Sequence, residues 1–432
     1  MDHANNMYSL ACELFPINRS LTGEGVRKTL DVIKRELPNL HVGEFKTGEQ
    51  VFDWSVPKEW SIKQAYVQDL ETGEVFIDFS GLNLHVMGYS VPVDQVMTIE
   101  QLDSNLYSLP NQPDAVPYVT SYYKERWGFC ITHNQRKELL KNSKRKVRVK
   151  IESELFDGVM NYGELLIQGS SKEEVLLSTY ICHPSMANNE LSGPVLAVEL
   201  AKLIQNMKDL RYTYRILFLP ETIGSIAYLS KNFKVMRDRT KAGFVLTCVG
   251  DNNSYSFMPS KYNNTYADRV AEYVMKITST KYTKYSFVER GSDERQYSSP
   301  GIELPVVSIM RSKYAEYDEY HTSLDNLSYI SPDGLYGSYD KYKKCIEILE
   351  TDYQYRCNVM CEPQLGKRNL YPTVSTKNTV SQVKVLRDVL MYSDGSNSLL
   401  DIADITSHNY FDIRDIANKL RENELISRVD ND

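Results

Sequence analysis

The chain has 432 residues, more than one compact domain usually holds, which predicts two or three domains. Hydrophobic residues make up 42% and charged residues 25%, values typical of a water-soluble globular protein. The formal net charge of -7 argues against nucleic acid or an anionic membrane as a partner.

The N-terminal residues "MDHANNMYSLACELFP" have no basic start and no long apolar run, so no signal peptide is predicted. Insertion into a membrane is not expected, because no apolar stretch reaches eighteen residues. Seven cysteines in so long a chain do not form the pattern of a disulfide framework, which favours a cytoplasmic location. Cys357 and Cys361 are interpreted as two unpaired thiols rather than a metal site.

Residues 1–45 are predicted to form N-terminal helices, interrupted by the turn "PINRSLTGEG". Residues 46–155 are predicted to be an inserted β-rich domain, because short alternating runs are separated by Pro, Gly, Asn and Asp. Its basic run "KNSKRKVRVK" could be a nucleic-acid patch. However, Val147, Val149 and Ile151 alternate with basic residues, which favours a half-solvated strand.

Residues 156–358 alternate strand and helix patterns. The strands are "EVLLSTYIC", "YRILFLP", "AGFVLTCVG" and "ELPVVSIM", and the helix between the first two is "GPVLAVELAKLIQNM". Apolar strands between amphipathic helices predict an α/β fold whose mostly parallel or mixed sheet carries helices on both faces.

Residues 359–432 are predicted to form a separate winged-helix domain of two or three short helices. DNA binding is a natural first hypothesis for such a domain. Residues 385–432 contain five Lys or Arg and ten Asp or Glu, so their surface should repel phosphate. A packing or assembly role is favoured, and a homo-oligomer is possible.

Polar residues follow each predicted strand of the α/β domain. His183, Glu221 and Asp251 follow the first three strands, and His321 lies in the loop after the fourth. Ligands of open α/β sheets bind at the carboxyl ends of the strands, so these side chains are expected to meet. Imidazole and carboxylate are common zinc ligands in hydrolases, and a carboxylate that is not a ligand can remove a proton from water. Glu221 is predicted to be this general base.

The order of the motifs "CHPSMANNELSG", "PETIGSIAYL", "GSDERQ" and "YHT" resembles the zinc aminopeptidase superfamily, which includes glutaminyl cyclases. The whole chain resembles a closer group of bacterial aminopeptidase-like proteins with an inserted domain and a C-terminal winged helix. The resemblance implies a metal-dependent hydrolase and a substrate pocket near the third motif. We expect five residues to contact a small-molecule substrate: Asp251, Asp293, Glu294, Arg295 and Tyr320.

Several superfamily ligands are replaced in this chain. Ser185 stands where the superfamily has the aspartate of His-x-Asp, and Asn189 stands at the position of the bridging aspartate. Thr222 and Thr247 replace two further acids. We therefore expect one zinc ion at most, or another divalent metal, held by three residues with water in the fourth position. Those residues are His183, Glu190 and His321, while Asp251 is either a further ligand or a substrate contact.

Three functions remain open. The first is a zinc-dependent aminopeptidase-like hydrolase that cleaves an amide or acyl bond. The second is an enzyme that modifies an acylated sugar in cell-surface polysaccharide biosynthesis, which is where the resemblance places the closer group. It is also favoured by the aromatic segment "VPYVTSYYKERWGFCIT", which forms either a small core or a wall over the cleft. The third is a non-catalytic scaffold.

Overall fold

The computed structural model describes residues 2–370 and 377–429, without the side chains of residues 377–382. The chain divides into two compact units, the first made of Met1–Met275 with Ser279–Tyr342 and the second of Lys276–Thr278 with Lys343–Asp432. The four domain boundaries stay a prediction.

The N-terminal segment contains two helices and a strand: α1 (His3–Leu14), α2 (Glu24–Glu36) and β1 (His41–Lys46). The side chain of Asp2 accepts a hydrogen bond from the Asn5 amide and caps α1. In α2, Val26, Leu30 and Ile33 are buried at helical spacing. The turn "PINRSLTGEG" lies between the two helices, as predicted.

The inserted region is built mainly from strands. Its elements are β2 (Gln50–Val51), β3 (Trp54–Ser55), β4 (Glu59–Asp69), β5 (Val75–Asp78), β6 (Val93–Thr98), α3 (Ile99–Leu102), β7 (Leu106–Tyr107), β8 (Phe129–Cys130), α4 (His133–Leu140) and β9 (Lys146–Phe156). Within residues 2–370, an antiparallel sheet has the order β5-β4-β9-β6. Val147, Val149 and Ile151 of β9 are buried and their neighbours are not, so the half-solvated strand is confirmed.

The α/β region follows the predicted alternation of strands and helices. Its elements are β10 (Val159–Ile167), β11 (Glu174–Tyr180), α5 (Ser192–Gln205), β12 (Thr213–Leu219), α6 (Ile223–Arg239), β13 (Thr240–Val245), β14 (Ser256–Met258), α7 (Tyr266–Thr278), β15 (Thr283–Lys284), α8 (Glu294–Tyr297), β16 (Val306–Met310) and α9 (Pro332–Thr351).

One large mixed sheet spans the α/β region, with the order β1-β10-β12-β11-β13-β16-β14-β15 within residues 2–370. The central strands β12, β11, β13 and β16 are parallel, while β10 and β14 pair with them antiparallel. Every residue of β11 and β12 is buried, as expected for strands covered on both faces. The predicted fold class is confirmed, and the parallel strands bring their carboxyl ends to one edge.

The second unit contains β17 (Gln354–Cys357), α10 (Lys377–Tyr392), β18 (Asp394–Ser398), α11 (Leu399–Thr406), α12 (Tyr410–Glu422) and β19 (Ile426–Arg428). In its described residues, β17 pairs antiparallel with both β18 and β19. Three helices and a small three-stranded sheet whose strands are interspersed with them form the predicted winged helix. Among the described residues, no helix is long and apolar enough to cross a lipid bilayer.

Candidate active site

His183 lies just beyond the carboxyl end of β11, and Glu190 lies in the next turn of the chain. That turn, Ala187–Leu191, is a single turn of π-helix that leads into α5. It brings Glu190 back to His183, so that His183 Nδ1 and Glu190 Oε2 are 2.5 Å apart. Glu190 thereby fixes the ring orientation and leaves His183 Nε2 for another partner.

Arg19, from the turn between α1 and α2, lies behind this pair and is buried with it. Its Nε donates to the carbonyl oxygen of His183 at 3.0 Å, and its Nη1 donates to the carbonyl oxygen of Leu14 at 2.7 Å. Arg19 Nε is also 3.8 Å from Glu190 Oε1, and both side chains are fully buried. Arg19 therefore compensates the charge of Glu190 in a place where an isolated carboxylate would be costly.

The π-helical turn is held by Asp325. Its two carboxylate oxygens accept hydrogen bonds from the amides of Asn188 and Asn189, at 2.6 and 2.9 Å. The Asn188 side chain in turn donates to Asp251 Oδ2 at 3.1 Å. Asp251 is 1% exposed and also accepts bonds from the Ser312 amide and hydroxyl. Asp251 thus lies behind the turn, and its predicted contact with substrate or metal stays a prediction.

His321 comes from the loop after β16 and faces His183. The two ring centroids are 5.4 Å apart, and the Tyr118 ring packs edge-on at 5.2 Å from each. Tyr320 stacks on His321 at 3.9 Å. Burial and the neighbouring His183 lower the pKa of His321 to about 3. The His321 imidazole is therefore neutral at pH 7 and has a lone pair available for a cation.

Glu221 follows β12 and lies on the other side of His183. Its Oε2 is 3.5 Å from His183 Nε2, and its amide donates to Cys182 Sγ at 3.2 Å. The side chain keeps 20% of its surface exposed, so it can reach a substrate. Burial raises the pKa of Glu221 above the ordinary carboxyl value, although the charges of His183 and Arg295 oppose this shift.

Asp293 and Glu294 lie at the start of the short helix α8. Asp293 Oδ1 accepts hydrogen bonds from the Thr222 amide at 2.8 Å and the Ser225 hydroxyl at 2.9 Å. Burial and the nearby Glu221 carboxylate raise the pKa of Asp293 to about 7. Glu294 Oε1 accepts a bond from the Tyr314 hydroxyl at 2.6 Å. Both acids are buried, and their substrate contact stays a prediction.

Arg295 is exposed, and its Nη2 donates to Thr222 Oγ1 at 2.6 Å. A cavity of about 400 Å³ opens beside His183 and Glu221. One side, which we call the α/β wall, comprises Leu21, Cys182, His183, Glu221, Thr222 and Ile223. The other side, which we call the inserted wall, comprises Trp54, Thr120, Ser121, Tyr122, Tyr123, Lys124 and Arg126.

The inserted domain also bonds to the backbone of the His321 loop. The Tyr118 amide donates to the carbonyl oxygen of His321 at 2.9 Å, and the Ser323 amide donates to that of Val116 at 2.9 Å. Pro117 and Thr322 form an isolated antiparallel bridge between these bonds. His321, whose φ is 55°, is thus held in its left-handed conformation from both sides.

The described side chains at this site offer donor atoms that suit a divalent metal ion. Ligand atoms of Cys182, His183 and Glu190 all lie within 4.8 Å of one another, and the neutral His321 ring faces the same histidine. Asn189 Oδ1 and Glu190 Oε1 are buried and have no hydrogen-bond partner. Imidazole nitrogen, thiolate sulfur and carboxylate oxygen are the donors that zinc prefers.

The sequence interpretation missed two members of this site, Cys182 and Arg19. Cys182 directly precedes His183 at a strand end, and that position was a usable signal. Arg19 stands in a polar turn, where nothing in the pattern indicates that its side chain is buried. The predicted four residues His183, Glu190, Glu221 and His321 do meet in space.

The fold is similar to that of zinc aminopeptidases. The structure titled "BSAP, a zinc aminopeptidase from Bacillus subtilis" has a TM-score of 0.59 at 12% identity, covering 80% of this chain and 94% of that chain. A crystal structure titled "putative peptidase" from Clostridium acetobutylicum has a TM-score of 0.92 at 46% identity, covering 99% of this chain and 96% of that one.

The chain belongs to the family described as "Domain of unknown function (DUF4910)", whose model matches residues 8–352. A winged helix-turn-helix model matches residues 353–428. A curated relative from Clostridium acetobutylicum is 46% identical over 425 residues, which is 98% of this chain and 96% of the relative. Its name is "Putative polysaccharide biosynthesis protein with aminopeptidase-like domain". The predicted family resemblance is confirmed.

Proposed function

We propose that this protein is a metal-dependent hydrolase that cleaves an amide or acyl bond of a small-molecule substrate. The observation that carries the proposal is the meeting of two histidines and two glutamates beside one cavity, with His183 Nε2 only 3.5 Å from Glu221 Oε2. His183, Glu190 and His321 hold one zinc ion or another divalent metal, and Glu221 is the general base.

A metal ion at this site would supply Lewis acidity, which polarises the carbonyl group of the amide or acyl bond that is to be cleaved. Glu190 contacts His183 Nδ1 through Oε2, and its second oxygen, Oε1, which has no hydrogen-bond partner, is the atom that it would offer to a metal ion. Arg19 partly neutralises Glu190, so this site offers a cation less negative charge than an unpaired carboxylate would. We therefore expect weaker metal binding than in a site with a full set of acidic ligands.

Glu221 removes the proton from the attacking water. Its carboxylate is partly exposed, and its backbone is held by the bond to Cys182 Sγ. The raised pKa makes it a stronger base than an ordinary carboxylate. Tyr320 and Arg295, which flank His321 and Thr222, contact the substrate.

An acylated sugar of cell-surface polysaccharide biosynthesis is a candidate substrate beside a peptide. An aminopeptidase needs acidic groups to bind the ammonium of a free amino terminus. Asp251, Asp293 and Glu294 were candidates for that task, but all three are buried and hydrogen-bonded within the protein. The inserted wall instead presents Trp54 and Tyr123, which suit stacking on a sugar. The relative's name supports the same class.

The proposal is tested by metal analysis and hydrolysis assays on the full chain. We expect close to one metal ion per chain in the wild type, retention of that metal in Glu221→Gln, and its loss in His183→Ala and His321→Gln. Exposed His41 provides the control His41→Ala, which should keep the metal. Chelation should abolish hydrolysis of either aminoacyl amides or N-acyl sugar nucleotides, and zinc should restore it.

Absence of stoichiometric metal, together with unchanged thermal unfolding in His183→Ala, would favour the non-catalytic scaffold and overturn the proposal. His321→Gln serves as the second metal-site variant, because replacement of buried His183 can unfold the site. Neither a nucleic acid nor a membrane is part of the proposed function. The site is proposed to act in the cytoplasm.

A further inference from the structure

The inserted wall carries a positive charge that the proposed reaction does not use. Lys124 and Arg126 line the cavity and are exposed, and Arg295 adjoins it through Thr222. Within the described residues, no acidic side chain forms an ion pair with any of these three cations. Glu221 is the acid among the residues that line the cavity, so cations outnumber carboxylates there.

Hydrogen bonds hold the turn that carries the two cations of the inserted wall, Lys124 and Arg126. The buried Ser121 hydroxyl donates to the carbonyl oxygen of Lys124 at 2.7 Å and accepts from Arg126 Nε at 3.0 Å. The Val91 amide donates to the carbonyl oxygen of Arg126 at 2.9 Å. These bonds pin both ends of the turn. The terminal nitrogens of Arg126 are left as donors for a ligand, which lowers the entropic cost of binding one.

Aromatic side chains lie beside these cations. Trp54 and Tyr123 are 43% and 50% exposed, and their ring centroids are 5.8 Å apart. The Tyr123 hydroxyl donates to the carbonyl oxygen of Ser55 at 2.8 Å, which holds its ring in place. Large exposed aromatic rings at a cavity rim are suited to stacking on a sugar or a base.

We infer that the inserted wall binds the phosphoryl group of a phosphorylated or nucleotide-linked sugar, through Arg126 and Lys124 on one side of the cavity and Arg295 on the other. Two cations and one carboxylate line the cavity and Arg295 adjoins it, a charge balance that matches a doubly charged group better than a single carboxylate. The inference rests on the proposed function and names the class of its substrate. It places recognition on the inserted domain and chemistry on the α/β wall.

The test is calorimetric titration of the full chain with UDP-N-acetylglucosamine, with N-acetylglucosamine and with glucuronic acid. We expect binding of the nucleotide sugar to be at least about tenfold tighter than that of the other two, and to weaken as salt rises from 50 to 200 mM. Arg126→Gln should weaken it by about 10- to 100-fold and Lys124→Gln by about 3- to 10-fold, because hydrogen bonds to charged groups are strong. Arg126→Lys, which keeps the charge, should recover part of the loss.

Lys137→Gln is the matched control, because Lys137 is an exposed cation of the inserted domain outside the cavity. Equal affinities of UDP-N-acetylglucosamine and N-acetylglucosamine would overturn the inference, as would an Arg126→Gln affinity equal to that of Lys137→Gln. Preferential binding of glucuronic acid would also overturn it, since the site would then take a carboxylate.

Binding is measured without turnover, so the two proposals can fail separately. Glu221→Gln should bind the nucleotide sugar as tightly as the wild type. Salt-sensitive binding without hydrolysis or metal would overturn the proposed hydrolase while supporting the phosphoryl site. Hydrolysis of aminoacyl amides by a protein that binds UDP-N-acetylglucosamine no more tightly than N-acetylglucosamine would support the hydrolase and overturn the phosphoryl site.

Discussion

The two walls of the cavity are built on different principles. On the α/β wall, His183 and Cys182 are buried, and hydrogen bonds fix the side chains that surround them. On the inserted wall, Lys124, Arg126 and Tyr123 are exposed, and single hydrogen bonds at the Arg126 Nε and the Tyr123 hydroxyl hold two of these side chains. A buried polar network holds reacting groups in place, whereas an exposed rim selects a ligand. Variants of the first wall should change turnover and stability, and variants of the second should change affinity.

The largest effect is expected for Glu221→Gln, which removes the proposed base from the α/β wall. We expect kcat/KM to fall by about 10²- to 10⁴-fold, because the amide cannot accept the proton. The measurement is a steady-state assay on the substrate that the hydrolysis panel identifies.

The thermal unfolding temperature and the metal content of Glu221→Gln should match the wild type. A variant that keeps more than half of the wild-type activity would place the base elsewhere, and one that loses its metal would make Glu221 a ligand.

The second-largest effect is expected from the buried pair of Arg19 and Glu190 behind the α/β wall. Arg19→Gln leaves the Glu190 carboxylate buried without its compensating cation, and we expect a loss of about 3–5 kcal/mol in the free energy of unfolding. Guanidinium unfolding followed by tryptophan fluorescence measures it, since all three tryptophans lie in the first unit.

The double variant Arg19→Gln with Glu190→Gln should recover part of that stability, because no charge then remains unpaired. Arg148→Gln, which removes an exposed partner of Asp94, should change little. Equal losses in the free energy of unfolding in Arg19→Gln and Arg148→Gln would show that the Arg19–Glu190 contact does not stabilise the protein.

A smaller change is expected in the pH dependence. Burial and the charge of the nearby Glu221 carboxylate raise the pKa of Asp293 to about 7, so Asp293 becomes charged only after Glu221 has ionised. Asp293→Asn removes one of the two acids, while its amide oxygen can still accept the bonds from Thr222 and Ser225. Ionisation of Asp293 should produce an inflection near pH 7 in the wild-type kcat/KM profile, and that inflection should be absent from Asp293→Asn, while the limb due to Glu221 stays in place.

The check is a pH–rate profile of Asp293→Asn beside that of Asp31→Asn, an exposed acid on α2. An inflection near pH 7 that persists in Asp293→Asn, or a wild-type profile without one, would contradict the proposed coupling between the two carboxyl groups.

The smallest effect is expected from the inserted wall. Trp54→Ala removes an exposed ring from the cavity rim and should raise KM, or weaken binding of the nucleotide sugar, by about 3- to 10-fold with kcat nearly unchanged. Tyr262→Ala, which removes an exposed ring outside the cavity, should leave both constants unaltered. A fall in kcat without a change in KM would move Trp54 from recognition to chemistry.

The sequence predicted those parts of the structure that follow from periodicity and strand position. The alternation from β11 to α9 and the meeting of His183, Glu221 and His321 both come from the rule that parallel strands end at one edge. The antiparallel strands β10 and β14 beside the parallel centre were not predicted. Their pairing partners lie far apart along the chain, and a single strand pattern does not encode direction.

The electrostatic environment of the site could not be predicted from the sequence, for a different reason. Nothing in "PINRSLTGEG" indicates that Arg19 is buried against Glu190, because burial there depends on packing between distant segments. The hydrogen bond that the Glu190 carboxylate accepts from His183 Nδ1 depends on a single turn of π-helix, which residue spacing did not predict. The absence of the His-x-Asp aspartate suggested that the site had lost a carboxylate. The structure has another carboxylate, that of Glu190, beside His183.

The bonds between residues 116–118 and the His321 loop have a consequence for how this architecture can vary. The inserted region holds the loop of a histidine that belongs to the proposed metal site, so it cannot be removed without an effect on that loop. Removal of residues 46–155 would release the loop that carries His321, even though that histidine belongs to the α/β part of the chain. A version of this chain without those residues is therefore expected to lose the fixed position of the His321 ring, even though the histidine itself is retained.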